Sequence, residues 1–165
     1  MADLDIAAIV RVLTSHGVEF VVIGGAAAIV RDLPVPATVD IDITPSRVEA
    51  NLERLAAAFD ELEAALLTAE PDGTWFPRRP VDNWAQYDTL HLITRFGLLD
   101  VVFAPDGAPR GFDDLVTTAE QCAVLSDDVT ALVITTQTWV RLKEASGRSK
   151  DLEHLDHYRD GRSST

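Results

Sequence analysis

The sequence predicts a mixed α/β (α+β) protein, in which a small sheet is flanked by helices. Segments with the period of amphipathic helices alternate with short apolar runs that are typical of buried strands. Two further pairs of apolar runs flank the short polar turns "RFG" and "DD", as the strands of β-hairpins do. The chain has 165 residues, of which 47% are hydrophobic, enough for the core of one domain.

The first half of the chain is predicted to alternate helix and strand. Apolar spacing predicts a helix over residues 3–15, and the run "VEFVVI" before a glycine pair predicts a strand over 19–23. "AAAIVRDL" has a helix-forming composition, whereas "PVPAT" is predicted as a loop because two close prolines break both regular structures. "VDIDIT" is predicted as a strand, and Thr44 followed by Pro45 predicts the start of a helix. The buried face of that helix would carry Val48, Leu52, Leu55, Phe59 and Leu62.

The second half is predicted to contain one long loop, two hairpins and three helices. Proline and glycine predict a loop over residues 70–87, and loops of this length are often functional. "DTLHLIT" with "LLDVVF" and "QCAVLS" with "VTALVI" predict the hairpins, and "GFDDLVTTA" between them predicts a short helix. Gly147 separates predicted helices over 138–146 and from 149 to about 158. The loop residues Trp75, Arg78, Arg79 and Trp84 could contact a substrate base and its phosphates, or could simply anchor the loop to the surface.

Composition excludes several classes of protein. A net charge of −13 argues against a surface wholly dedicated to nucleic acid, although Arg141, Lys143, Arg148 and Lys150 form a local basic patch. The single cysteine, Cys122, excludes an internal disulfide and is expected to be a small core residue. No apolar run approaches the ~18 residues that span a bilayer, and no signal peptide is recognisable. We therefore expect a cytoplasmic protein with no membrane partner.

Asp40 and Asp42 interrupt an otherwise apolar predicted strand. Side chains alternate along a strand, so these two carboxylates share one face, and Val39, Ile41 and Ile43 are expected to face the core. Two ionised carboxylates this close repel each other, and a divalent cation removes that penalty. Mg²⁺ prefers oxygen ligands of this kind, together with water and substrate phosphates.

Asp100 supplies a third carboxylate inside the apolar run "GLLDVVFAP". If its strand neighbours the first, Asp100 would lie about 5 Å from the pair. Three carboxylates can hold two Mg²⁺ ions at the spacing used for phosphoryl chemistry. An isolated D-x-D is common, however, and Asp100 could instead be an edge-strand charge that discourages aggregation.

Gly24 and Gly25 lie between a predicted strand and a predicted helix. Glycines there let backbone N–H groups approach a triphosphate, although most glycine pairs are only turns. The stretch matches neither the dinucleotide fingerprint nor the Walker loop, since G-x-G-x-x-G and G-K-[ST] are both absent.

A glycine pair, a D-x-D about fifteen residues later and a distant aspartate in an apolar strand together resemble the DNA polymerase β-like nucleotidyltransferase superfamily, over about residues 18–104. The resemblance implies a minimal nucleotidyltransferase fold, with C-terminal helices that close the cleft. It implies a single domain over 1–165, with a catalytic core of about 1–105 and a hairpin and helices over about 106–165.

The C-terminal stretch "LVITTQTWVRLKEASGRSKDLEHLDHYR" resembles AbiEii/MenT-type toxin nucleotidyltransferases. The shared pattern is a lysine on one helix, a break at a small residue, a basic residue, and a Lys-Asp pair that begins the next helix. It implies that a lysine and an arginine neutralise the triphosphate, and that the aspartate holds one of them. The alternative is a helical hairpin with ordinary surface charges. The matching positions are Lys143, Gly147, Arg148, Lys150 and Asp151.

One position departs from the pattern R-x-T-x-D that relatives often have before the first aspartate. Thr38 is present, but Pro36 stands where those relatives have arginine. Arg31 or Arg78 could replace that arginine.

The resemblance implies transfer of an NMP from an NTP to an acceptor hydroxyl with two Mg²⁺ ions. It assigns Asp40, Asp42 and Asp100 to the metals and Lys143 to catalysis. The acceptor would be RNA such as tRNA, and the partner a cognate antitoxin. Alternatives are an MNT-like enzyme that AMPylates a protein, an aminoglycoside-type acceptor, or a degenerate module that only binds nucleotide. The nucleotide-binding residues would be Gly24, Gly25, Thr38, Arg148 and Asp151.

Overall fold

The computed structural model describes residues 2–67, 74–75 and 87–163, and these residues contain one mixed sheet of eight strands. In chain order the strands are β1 Phe20–Ile23, β2 Asp40–Pro45, β3 Ala65–Leu66, β4 Thr74–Trp75, β5 Thr89–Thr94, β6 Gly97–Val102, β7 Glu120–Ala123 and β8 Thr130–Val133. Their order across the sheet is β4-β3-β5-β6-β2-β1-β8-β7. β2 pairs antiparallel with β1 and parallel with β6, which confirms the mixed α/β class.

Six helices are described within the same ranges. They are α1 Ile6–Ser15, α2 Gly24–Val30, α3 Glu49–Leu62, α4 Phe112–Leu115, α5 Thr136–Ser146 and α6 Ser149–Ser163. α1 begins three residues later than predicted, because the Asp5 carboxylate caps it by accepting a hydrogen bond from the Ala8 N–H at 2.9 Å. No helix in the described ranges is long and apolar enough to cross a membrane.

The core depends on one apolar row that crosses five strands. Strand pairing places Val133, Val22, Ile43, Val101 and Leu90 side by side, and each is almost fully buried. Because the side chains of a strand alternate, the next row on the same strands faces the other side of the sheet. This alternation positions the polar row described below.

Both predicted hairpins are confirmed. β5 pairs antiparallel with β6, and β7 with β8. β8 also pairs in parallel with β1, so the second hairpin extends the same sheet as the D-x-D strand. Cys122 lies on the edge strand β7, where it is half-buried and packs against the core.

The predicted helix start at Thr44 and Pro45 is wrong. Both residues continue β2, where they pair with Val21 and Phe20 of β1, and the helix begins only at Glu49. The neighbouring strand offers these residues a pairing partner, and that tertiary contact outweighs the local helix-start signal.

Two expected core positions at the ends of these elements are exposed. Val39 is 67% exposed because it precedes the first paired residue of β2, so no neighbouring strand covers it. Val48 is 63% exposed because it caps the start of α3 instead of lying on its buried face. The other predicted residues of both faces, from Ile41 to Leu62, are buried.

The predicted loop over 70–87 lies mostly outside the described residues, and with it Arg78, Arg79 and Trp84. Part of that prediction is wrong, because Thr74–Trp75 forms the short strand β4 beside β3. At the other end of the chain, α6 continues five residues beyond the predicted end near Tyr158. A Cβ on Gly161 of this helix would lie 2.4 Å from the Pro34 Cγ, so α6 packs tightly on the loop between α2 and β2.

Leu99→Ala should lower the free energy of unfolding by about 2–5 kcal/mol, because it leaves a cavity between Ile41 and Leu92 in the centre of the sheet. Leu152→Ala is the matched control, since that leucine is 47% exposed and its loss should cost no more than about 0.5 kcal/mol. Urea denaturation of both variants measures the difference. Equal losses would contradict the assigned core.

Candidate active site

A cavity of about 480 Å³ opens between the sheet and the C-terminal helices. Its floor is formed by residues of β1, β2, β5 and β6, and its opposite wall by residues of α5 and α6. The residues that carry the two family resemblances all line this cavity, apart from Gly147, whose left-handed backbone ends α5. The cavity-lining candidates are Gly24, Gly25, Thr38, Asp40, Asp42, Asp100, Lys143, Arg148, Lys150 and Asp151.

The three predicted carboxylates meet on one face of the sheet. Asp42 and Asp100 are direct partners in the parallel pairing of β2 with β6, and Asp40 lies two residues earlier on the same face. The expectation that the two strands are neighbours is therefore confirmed. β6 lies between β2 and β5 in the middle of the sheet, which excludes the alternative that Asp100 is an edge-strand charge.

The carboxylate row is electrostatically unfavourable as it stands. Burial, followed by the charges of Asp40 and Asp100, raises the pKa of Asp42 from 3.8 to about 7, although Lys143 and Lys150 oppose the shift. Burial also raises the pKa of Asp100, against the effect of its hydrogen bond with His91. A cation placed between these groups would remove much of this penalty.

Asp40 and Asp100 each lie within hydrogen-bond distance of one neighbouring side chain. The Thr38 hydroxyl lies 3.1 Å from Asp40 Oδ1, and His91 Nδ1 lies 2.9 Å from Asp100 Oδ1. Among the described residues, no group of three or more histidine, cysteine or acidic side chains is arranged closely enough to hold a metal ion as it stands. The donor set nevertheless fits a hard divalent cation, because it consists of carboxylate oxygens on strands that hold their backbones in register.

The glycine pair fits directly against the D-x-D motif. Gly24 has φ +64°, and a Cβ there would lie 2.2 Å from Asp42 Oδ2. A Cβ on Gly25 would lie 2.7 Å from the Thr38 hydroxyl oxygen. Any larger residue would displace the groups that line the cavity, so the pair has a steric role at the site as well as a backbone role.

The C-terminal helices bring a positive cluster to the opposite wall. Asp151 accepts hydrogen bonds from Lys143 at 2.5 Å, from Arg148 at 2.8 Å and from the Ser146 hydroxyl. Burial opposes the ionisation of Asp151, but these three bonds outweigh it and lower its pKa to about 2. Lys150, in the first turn of α6, also lines the cavity and is exposed.

A buried tryptophan joins α5 to the glycine turn. Trp139 donates a hydrogen bond from its indole nitrogen to the Gly24 carbonyl at 3.1 Å, and it is 1% exposed. Lys143 follows one helical turn later, and its ammonium nitrogen lies 5.7 Å from the centre of the Trp139 ring.

Arg31 does not take the place of the arginine that Pro36 replaces. Its guanidinium donates to the carbonyls of Val133 and Ile134 and pairs with Glu120, which ties the end of α2 to the second hairpin. Arg78 lies outside the described residues. Arg148 and Lys150 are instead the exposed basic groups that line the cavity.

Sequence reasoning missed two histidines that line the cavity, His91 and His154. His91 could have been found, because the turn of the first hairpin sets a register that places it opposite Asp100. His154 carries a buried Nδ1 without a hydrogen-bond partner in the described structure, and no pattern in the sequence distinguishes it from an ordinary surface histidine.

The fold is a nucleotidyltransferase-like α/β fold, as comparison with solved structures shows. One similar structure is the crystal structure of a "putative nucleotidyltransferase" from Thermotoga maritima. The two chains share 16% sequence identity with a TM-score of 0.55, over 93% of this chain and 89% of the other. At this identity the similarity is one of fold. No protein-family model matches the sequence, and no curated protein matches it.

Asp42→Asn should stabilise the metal-free protein at neutral and alkaline pH. The folded pKa of about 7 exceeds the unfolded value of 3.8, so the folded state binds the proton more tightly and loses stability as pH rises through this interval. This loss of stability is absent below about pH 4 and complete above about pH 7, and it amounts to no more than roughly 4 kcal/mol. Urea denaturation in EDTA from pH 4 to 8 should show a flatter profile for the variant.

The control for that experiment is Asp127→Asn, which changes an exposed carboxylate outside the cavity. It should leave the pH profile of the wild-type protein unchanged. A D42N variant less stable than wild type at pH 8 would contradict the electrostatic assignment.

Asp151→Asn should lower the free energy of unfolding at pH 7 by about 3 kcal/mol, because it leaves Lys143, only 11% exposed, without its carboxylate. The folded pKa lies below the unfolded value, so this stabilisation is complete above about pH 4 and is lost as pH falls towards 2. Asp156→Asn on the same helix is the exposed control. Denaturation at pH 7 and pH 3 measures both, and equal losses in the two variants would argue against the buried pair.

Proposed function

We propose that this protein is a metal-dependent nucleotidyltransferase, which moves an NMP from an NTP to an acceptor hydroxyl. The observation that carries the proposal is the carboxylate row of Asp40, Asp42 and Asp100, which faces a basic wall across one cavity. An NTP with its divalent cation complements both walls, since the cation suits the carboxylates and the phosphates suit the basic groups. Similarity of fold to a protein described as a putative nucleotidyltransferase supports the same reaction class.

The three carboxylates are the groups that would hold the metal. The family resemblance implies two Mg²⁺ ions in this arrangement. The raised pKa values of Asp42 and Asp100 support this role, because a bound cation would favour the charged form of both carboxylates. When bound, Mg²⁺ supplies Lewis acidity at the α-phosphate and neutralises charge on the triphosphate.

The remaining chemistry falls to the side chains of the two walls. The acceptor oxygen forms a bond to the α-phosphorus, while the bond from that phosphorus to the bridging oxygen breaks and pyrophosphate leaves with the electron pair. Asp100 would orient the acceptor hydroxyl and take its proton. Lys143, fixed by Asp151, and Arg148 would stabilise the charge that accumulates on the pyrophosphate.

Gly24, Gly25 and Thr38 would shape the nucleotide side of the site. The glycine pair leaves room beside Asp42 that any Cβ would occupy, and the Thr38 hydroxyl is bonded to Asp40. The backbone of this turn can therefore approach the phosphates closely.

For the acceptor, the AbiEii/MenT resemblance favours RNA such as tRNA, in a toxin that is paired with an antitoxin. Exposed basic groups on α5, on α6 and in the turn between them support this choice, because phosphate backbones are bound mainly by such groups. They include Arg141 on α5, Arg148 in the turn and Lys150 on α6.

A protein or small-molecule acceptor is the second candidate. Asp88 and Asp106 line the same cavity, and the net charge of −13 also disfavours a polyanion. The third possibility, a module that binds nucleotide without catalysis, is favoured by Pro36, because Arg31 is engaged elsewhere. Thermal shift with each NTP and Mg²⁺ tests binding separately from transfer.

Asp42→Asn should abolish transfer of label from an α-³²P NTP, with a loss of at least about 100-fold, because the central carboxylate of the row is neutralised. The protein is incubated with each labelled NTP and with total cell RNA or total protein, and the pool that takes up label identifies the acceptor class. Asp127→Asn should transfer label at the wild-type rate.

The same experiment defines what would overturn the proposal. Transfer that survives in the folded D42N variant would remove the carboxylate row from the reaction. Wild-type protein that shows an NTP-dependent thermal shift but labels no pool would favour the non-catalytic module.

A further inference from the structure

We infer that His91 is a positioning residue, which holds Asp100 through Nδ1 and binds the acceptor through Nε2. The inference rests on the proposed nucleotidyltransferase function and concerns the same cavity. It assigns the two nitrogens of one imidazole to two separate tasks, and each task can be removed without the other.

The first task follows from a direct contact. His91 on β5 is the cross-strand partner of Asp100 on β6, and Nδ1 lies 2.9 Å from Asp100 Oδ1. This bond fixes both the carboxylate and the plane of the imidazole. Partners of this kind hold metal-binding carboxylates in a single orientation, and their removal commonly costs 10–100-fold in metal affinity.

The second task follows from where the ring lies. The His91 side chain lines the cavity and is 61% exposed, and no hydrogen bond joins Nε2 to another residue of the described ranges. Since Nδ1 faces Asp100, the other nitrogen at the exposed end of the ring is available to a ligand in the cavity.

The order of strands indicates which ligand that is. Along the polar row the order is Ile23 of β1, Asp42, Asp100 and His91, so His91 lies three strand spacings, about 14 Å, from the end of β1. The glycine turn follows β1, and the bond from Trp139 to the Gly24 carbonyl holds α5 against it, with the Lys143 ammonium nitrogen 5.7 Å from the centre of the Trp139 ring. The triphosphate therefore belongs at the β1 side, and the space beyond Asp100 belongs to the acceptor.

Two conservative substitutions separate the two tasks. The amide nitrogen of asparagine is as many bonds from Cα as Nδ1 of histidine, so His91→Asn can keep the bond to Asp100. The amide nitrogen of glutamine corresponds to Nε2, so His91→Gln can keep the contact with the acceptor. His91→Ala removes both, and His157→Ala is the control, since His157 is an exposed histidine outside the cavity.

Binding of Mn²⁺ to the metal-free protein, measured by calorimetry, tests the first task without any turnover. We expect His91→Ala and His91→Gln to weaken Mn²⁺ binding about tenfold or more, and His91→Asn and His157→Ala to bind as wild type does. Equal affinity in all four variants would overturn the inference and leave the proposed function intact. Wild-type protein that binds no Mn²⁺ would overturn both.

Transfer from labelled NTP to the pool that takes up label, total RNA or total protein, tests the second task. We expect His91→Asn to raise the KM for that pool roughly tenfold, about the effect of one lost hydrogen bond, with the KM for NTP unchanged. An unchanged acceptor KM in this variant, or a raised NTP KM, would overturn the acceptor assignment. If the variants bind Mn²⁺ in the predicted order of affinity but the wild-type protein labels no pool, the proposed function would be overturned and the positioning of Asp100 would be supported.

Discussion

The pairing of β2 with β1 on one side and with β6 on the other is the constraint on which the rest of the structure depends. In this register Ile43 enters an apolar row with Val22 and Val101, while Asp42 faces the opposite side beside Asp100. A slip of one residue would exchange these faces, placing carboxylates in the core and isoleucines in the cavity. The same hydrogen bonds therefore stabilise the fold and align the site.

This alignment has an electrostatic cost that the fold tolerates at one place. Burial and the charges of Asp40 and Asp100 raise the free energy of ionising Asp42, which lies at the centre of the row. A purely structural strand would place apolar side chains at these positions. The concentration of like charge is what a site for a cation requires, and strain of this kind is most often found at functional sites.

The opposite wall of the cavity gathers positive charges instead of negative ones. Gathering lysine and arginine side chains without a partner would cost side-chain entropy and raise their mutual electrostatic repulsion. Asp151, itself almost fully buried, accepts bonds from both Lys143 and Arg148 and holds them beside the cavity. The hydrogen bond from Trp139 to the Gly24 carbonyl fixes α5 against the glycine turn, and the close approach of Gly161 to Pro34 fixes α6 against the loop before β2. The cavity is thus bounded by two preorganised walls of opposite charge.

Local sequence determined most of the elements and the chemical character of the site. Apolar periodicity and glycine breaks located the helices and both hairpins, and the carboxylates of Asp40 and Asp42 were conspicuous because charge is so unfavourable in an apolar strand. Local signals failed where a distant strand decided the outcome. Thr44 and Pro45 have the pattern of a helix start, yet β1 pairs with them and extends the strand.

The sequence by itself determined which residues are apolar, charged or conformationally free, and therefore the fold class and the candidate carboxylates. Only the tertiary structure decided which strands are neighbours. That choice placed Asp100 in the centre of the sheet and His91 beside it, and it left the Arg31 side chain bonded to the second hairpin. The physical reason is that strand pairing and helix packing join residues far apart in the chain, and the energy of those contacts depends on the whole core.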